Sequence, residues 1–154
     1  MDLTHLHLLI THLPIFGVLL GVVVLTYGLY KDSHQTLLAA YLVIAIACLG
    51  GLIAYLTGEP AEETIEQIQT ISKSTIESHE ESAELSIIVL GILGIVSLIA
   101  LVFNTKLVEL NRKIAFTIMI LSIICFALVA RTGYLGGKIR HTEITEVGQK
   151  LNTD

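Results

Sequence analysis

The chain has 154 residues, of which 53% are hydrophobic and only 15% charged, and its net charge is -5. A soluble domain carries about 25% charged residues. The shortfall, with a mean hydropathy of +0.77, implies a single integral membrane domain over residues 1–154. The acidic balance and the lack of a basic stripe exclude nucleic-acid binding.

Four apolar stretches follow one another along the chain. The first runs from about Leu8 to Tyr30, with Pro14 in its first turns. No Lys or Arg precedes Lys31, so this stretch lacks the positive start of a signal peptide and reads as a retained span. The second runs from about Thr36 to Thr57 and the third from about Leu85 to Thr105, both without charge. The fourth runs from about Ile114 to Leu135, and its only charge is Arg131. A hydrocarbon core is crossed by about 20 residues of helix. Continuous apolar runs of this length exclude barrel strands, so the fold class is all-α. Cys48 and Cys125 lie deep in apolar runs, form no Cys-x-x-Cys, and read as small buried hydrophobes.

Lys31–Gln35 and Lys106–Lys113 are short connections, and Gly58–Glu84 is long. Short connections imply a four-helix transmembrane bundle running up-down-up-down. Within the long connection, Ile65, Ile68, Ile71 and Ile76 oppose Glu62, Glu63, Glu66 and Gln67. This spacing predicts a short amphipathic helix between spans two and three. Ser74 and Glu77 form a capping-box pattern that starts a helix carrying His79 into span three. Gly17, Gly21, Gly50, Gly51, Gly91 and Gly94 let helix backbones approach, within the chain or in an oligomer. The short loops carry Lys31, Lys106, Arg112 and Lys113, and the other face carries Lys73, Lys138, Arg140 and Lys150. Counting the positive charges near span ends places the short loops in the cytoplasm.

The histidines carry the functional signal. His5, His7 and His12 open span one, His79 precedes span three, and His141 follows span four. Four crossings bring all five to one membrane face, extracytoplasmic in this orientation. His34 stands alone on the other face and reads as solvated. Imidazole is the commonest metal ligand and is costly to bury unpaired. His12 lies furthest along span one and is expected to be the most buried; His5 shares its helix face and His7 is rotated from both.

Three functions follow as expectations. The first is a b-type haem protein for electron transfer, with His12 and His79 as axial ligands and His7 or His141 in reserve. Arg131 and Arg140 would pair with the haem propionates. Such a protein exchanges electrons with a membrane quinone or serves as a subunit of a larger redox complex. No Cys-x-x-Cys-His occurs, which excludes covalent attachment. The second is a non-haem Zn, Fe or Cu site built from His12, His79 and His141 with Glu59, Glu62, Glu80 or Glu84. The acids from Glu59 to Glu84 also read as a solvated face. The absence of His-Glu-x-x-His argues against a stand-alone enzyme. The third is a cofactor-free accessory subunit.

Some of these residues also carry a family likeness. His7-Leu8-Leu9-Ile10-Thr11-His12-Leu13-Pro14 fits a His-x4-His-[apolar]-Pro start, with Leu8 where family members often have proline. Thr57-Gly58-Glu59-Pro60-Ala61-Glu62-Glu63, then His79-Glu80-Glu81, then Gly136-Gly137-Lys138-Ile139-Arg140-His141-Thr142-Glu143-Ile144 follow in the family's order. In these segments the chain resembles a family of small four-span bacterial membrane proteins known as a domain of unknown function. The resemblance covers most of the chain and puts the resembling segments at one face. It implies a multi-pass protein of the bacterial inner (cytoplasmic) membrane and no particular activity.

Overall fold

In a computed structural model of the chain, the described residues are 3–59, 73–103 and 108–140. They form helices α1 (Leu3–Ile10), α2 (His12–Tyr30), α3 (His34–Leu56), α4 (Lys73–Phe103) and α5 (Val108–Arg140), with no strand among them. Helix is the expected state, because it pairs each backbone N–H and C=O within its own segment where lipid offers no partner. Four helices are long and apolar enough to cross a membrane, with α1 and α2 together making the first. Of the amphipathic stripe expected from Ile65, Ile68, Ile71 and Ile76, the first three lie outside the described residues, as do Glu62 and His141, and Ile76 is buried within α4.

The first span loses one backbone bond where the sequence dictates. Pro14 has no N–H to give the carbonyl of Ile10, and its ring crowds that carbonyl. Thr11 between α1 and α2 nevertheless keeps helical geometry, at φ -59° and ψ -25°, with its N–H donating to His7 O at 3.0 Å and its hydroxyl to Leu8 O at 3.1 Å. α2 ends in a tight turn. Ser33 N–H donates to Gly28 O at 3.0 Å and Asp32 N–H to Leu29 O at 3.4 Å, with Asp32 at φ 49°. This is the Schellman pattern, and Asp is one of the few side chains that tolerates the left-handed position. Ser33 then caps α3, accepting from Thr36 N–H at 3.4 Å. The start of α5 is tied to this turn by Arg112–Asp32 at 3.7 Å and by Asn111 Nδ2–H donating to His34 Nδ1 at 3.1 Å. His34, expected to be merely solvated, is half-buried with a protein partner.

α2 packs on α3 and α5, and α4 packs on the same two helices. The four long helices therefore form a ring, with α2 and α4 on one diagonal and α3 and α5 on the other. α1 leans on α3 and α2. Val18, Leu25, Tyr41, Ile44, Leu93, Ile118 and Cys125 are fully buried along the axis. Apolar residues such as Phe16, Val23, Ile88 and Ile123 face outward, as a lipid-facing surface requires.

Charge marks how far the bundle extends beyond the bilayer. Lys73, Glu77, Glu80, Glu81 and Glu84 all fall in the first turns of α4, and Leu85–Phe103 has no charge. The apolar part crosses the membrane and residues 73–84 project from it. His79 thus stands about 9 Å beyond the apolar part, at 1.5 Å per residue.

Glycine sets the closeness of the first two spans. A Cβ on Gly17 would lie 2.7 Å from Ala47 Cβ, and one on Gly21 would lie 2.4 Å from Ile44 Cγ1. Gly91 differs from the other glycines singled out above: it is exposed, with nothing within 4 Å of a built Cβ. It faces outward and makes no helix contact within the bundle. Gly17→Ala is expected to cost about 1–3 kcal/mol, the usual effect of overpacking. Gly91→Ala is expected to stay within about 0.5 kcal/mol of the parent. Thermal unfolding of the two variants in detergent checks both.

Candidate two-histidine site

Two histidines turn inward at the end of the bundle where α1 and α4 begin. His7 Nδ1 lies 2.9 Å from Ala54 O and 3.3 Å from Thr57 Oγ1, both at the end of α3. His79 Nδ1 lies 3.1 Å from Thr132 O in α5. A carbonyl oxygen only accepts, so each Nδ1 carries the proton and donates. The proton-free Nε2 of each ring has no hydrogen-bond partner among the described residues. His7 and His79 come from one diagonal of the ring, and the carbonyls that orient them come from the other.

Small residues make room for both rings. A Cβ on Gly136 would lie 3.1 Å from His79 Cε1, so a side chain there would press on the ring. A Cβ on Gly58 would lie 3.6 Å from His7 Cε1, in ordinary contact. Below His79 sits a knot of hydroxyls. Thr132 Oγ1 donates to Leu128 O at 3.1 Å and accepts from Ser82 at 2.8 Å and Ser86 at 2.9 Å. Its hydrogen and both lone pairs are thereby used, and two buried serines of α4 are clamped to α5.

Burial pushes the His79 imidazole below its ordinary pKa. The bond to the Thr132 carbonyl opposes this, nearby His7 adds to it, and Glu80 opposes it.

The remaining candidates lie elsewhere. His12 is exposed, its Nδ1 3.1 Å from Leu8 O of its own helix and its ring stacked on Phe16 with centroids 6.3 Å apart. The expectation that His12 is the most buried histidine is thus corrected. Depth along a span and burial within a bundle are separate coordinates, and at 100° per residue His12 points away from the axis that His7 faces. Arg131 is exposed and has no acid paired with it among the described residues. Tyr134, three residues on, takes Lys138 instead, whose Nζ lies 4.7 Å from the ring centroid. Arg140 closes α5 with its side chain outside the described set, and Glu59, Glu80 and Glu84 are exposed. No group of three metal-ligating side chains gathers among the described residues.

Sequence reasoning ranked His7 as a reserve, although a legible signal favoured it. His7, Pro14, Gly21 and Gly28 are spaced by seven, and the last three are buried. A stripe of small residues at that interval marks the inner face of a membrane helix.

Two outcomes are expected. Thr132→Val keeps the shape but leaves Ser82 and Ser86 without their acceptor, at a cost of about 1–3 kcal/mol in detergent unfolding. The triple variant with Ser82→Ala and Ser86→Ala should recover most of that loss, since no hydroxyl is then stranded. Because the folded pKa of His79 is depressed, the unfolded chain protonates it first, and stability falls as pH drops through the ordinary histidine range. Acidification from about pH 8 to about pH 5 should lower the melting temperature, and by less in His79→Gln.

No curated protein and no solved structure matches the chain. Residues 4–147, nearly the whole chain, match the family described as "Predicted membrane protein (DUF2231)", and the protein belongs to that family.

Proposed function

We propose that the protein is a membrane b-type haem protein for electron transfer, in which His7 and His79 would hold the haem iron through Nε2. The observation that carries this reading is the orientation of the two rings. Each donates Nδ1–H to a backbone carbonyl and leaves Nε2 as a lone pair. Metal-ligating imidazoles are held in this way, their outer nitrogen fixing the tautomer and raising the basicity of the other. The donor set fits haem on count: the porphyrin supplies four nitrogens, so two imidazoles from facing helices complete the iron. A bare ion would need further protein donors.

When bound, haem supplies a one-electron iron couple. The chain's own residues orient and shield. Ala54 and Thr132 fix the rings, Gly58 and Gly136 leave space beside them, and the Ser82–Thr132–Ser86 knot holds α4 and α5 in register. Of the ligands expected from sequence, His79 is kept and His7 moves from reserve to first choice. Arg140, near the same end, remains the propionate partner in this reading. We place the site at the extracytoplasmic face of a bacterial cytoplasmic membrane, on the strength of Lys31, Arg112 and Lys113 at the opposite end. The electron partner is a membrane quinone or a further redox subunit.

Protein purified from membranes with haem in full supply should show a Soret band, with sharp α and β bands after dithionite. His79→Ala should abolish the bands, and His12→Ala should leave them unchanged. A featureless spectrum would overturn the reading, and elemental analysis of the same sample would then test for a non-haem metal.

A further inference from the structure

Four buried side-chain oxygens have no hydrogen-bond partner among the described residues: those of Thr4, Tyr41, Ser97 and Ser122. Ser97 and Ser122 are the informative pair, because both are 0% exposed and both lie within spans. Ser97 stands about 9 Å, and Ser122 about 12 Å, inside the nearer end of its apolar stretch, at 1.5 Å per residue. A helical serine or threonine commonly turns its hydroxyl back to the carbonyl one turn earlier. Thr26 does so to Val22 O at 2.7 Å, Ser78 to Ser74 O at 2.7 Å and Thr117 to Lys113 O at 3.0 Å. Ser97 and Ser122 do not, and they do not bond one another. A hydroxyl left without a partner is costly where protein and lipid exclude water.

The register of the helices puts these two serines in one layer. Ser86 Oγ lies 2.9 Å from Thr132 Oγ1. From Ser86 the buried face of α4 runs on through Leu90 and Leu93 to Ser97. From Thr132 the inner face of α5 runs back through the buried Val129 and Cys125 to Ser122. Three steps on each antiparallel helix therefore bring the serines level. α3 agrees. A Cβ on Gly51 would lie 2.6 Å from Leu90 Cδ1, and one on Gly94 would lie 3.0 Å from Cys48 Cβ, so the next step sets Ile44 beside Ser97. Ile44 Cγ1 in turn takes the place that a Cβ on Gly21 would need. The layer of Gly21, Ile44, Ser97 and Ser122 thus has one side chain larger than serine. The next layer has at least three, Leu25, Tyr41 and Ile118.

We propose that this layer holds one internal water, bonded to both serine hydroxyls and tying α4 to α5 inside the membrane. One hydroxyl donates to the water, and the water donates to the other. Its second hydrogen goes to a carbonyl that a helical serine would otherwise use, Leu93 O or Ile118 O. That makes about three bonds, the usual number for a buried water. The α4–α5 hairpin is then fastened twice: directly at Ser82, Ser86 and Thr132 beside His79, and through water three layers on. Two apolar layers, Leu90 with Val129 and Leu93 with Cys125, stay dry between them. The water site is separate from the histidines and independent of the haem reading.

Nuclear magnetic resonance of the full chain in nanodiscs tests the site, with water itself as the probe. Magnetisation transfer from water should reach the amides of Ser97 and Ser122 and miss those of Leu90, Leu93, Cys125 and Val129. The double variant Ser97→Ala with Ser122→Ala should lose the transfer at both. No transfer at Ser97 and Ser122 in the parent overturns the proposal, and transfer through the intervening layers as well overturns a single enclosed water. Thermal unfolding in detergent gives a second readout. Ser97→Ala and Ser122→Ala should each lower the melting temperature by about 2–4 °C, since each strands the water and its remaining partner. The double variant should lose less than the sum. A raised or unchanged melting temperature in either single variant shows a hydroxyl that had no water partner, and overturns the proposal. Coupling between the serines without water transfer shows a direct bond between them, and also overturns it.

Discussion

The glycine contact between the first two spans fixes which way each residue of the first span faces. With Gly17 against Ala47 and Gly21 against Ile44, neither helix can rotate without driving a side chain into a backbone. That rotation carries Pro14 and Gly28 to the inner face, and His7 with them. It sends Phe16, Val23 and His12 outward. The second hairpin reaches the same end by other chemistry. Ser82, Ser86 and Thr132 replace glycine packing with hydrogen bonds that hold His79 inward. Hydroxyl pairs of this kind are modest in strength, but they are directional and specify register where apolar packing alone does not.

The outcome is a site with crossed construction. One diagonal supplies imidazoles and the other supplies the carbonyls that aim them. Any shift of α3 or α5 would reorient a ring, so the integrity of the bundle and the geometry of the site are one property.

Much of this was legible in the sequence. Four spans, the tight first turn and the gathering of histidines at one end follow from run lengths and from the alternation of crossings. The long helix that carries His79 into the membrane follows from the uninterrupted run behind it, although Ser74, read as its cap, lies within the helix rather than at its start. The facing of the histidines was harder to read. In a water-soluble helix the apolar stripe marks the inside, but here lipid-facing and core-facing positions are both apolar, so the usual periodicity is lost. The remaining signal lies in small and hydroxylated residues: Gly21 and Gly28 in one helix, Ser82 and Ser86 in another. Depth was mistaken for burial at His12, and Arg131 is exposed while Tyr134, three residues on, takes Lys138.

The central claim is that His7 and His79, and not His12, turn into the same end of the bundle. Paired cysteines test it most directly. With Cys48 and Cys125 replaced by alanine, a protein carrying His7→Cys and His79→Cys is treated with a short bifunctional thiol reagent and digested for mass spectrometry. The account predicts an efficient intrachain cross-link for this pair and none for His12→Cys with His79→Cys. Cross-linking of the second pair in preference to the first would contradict it.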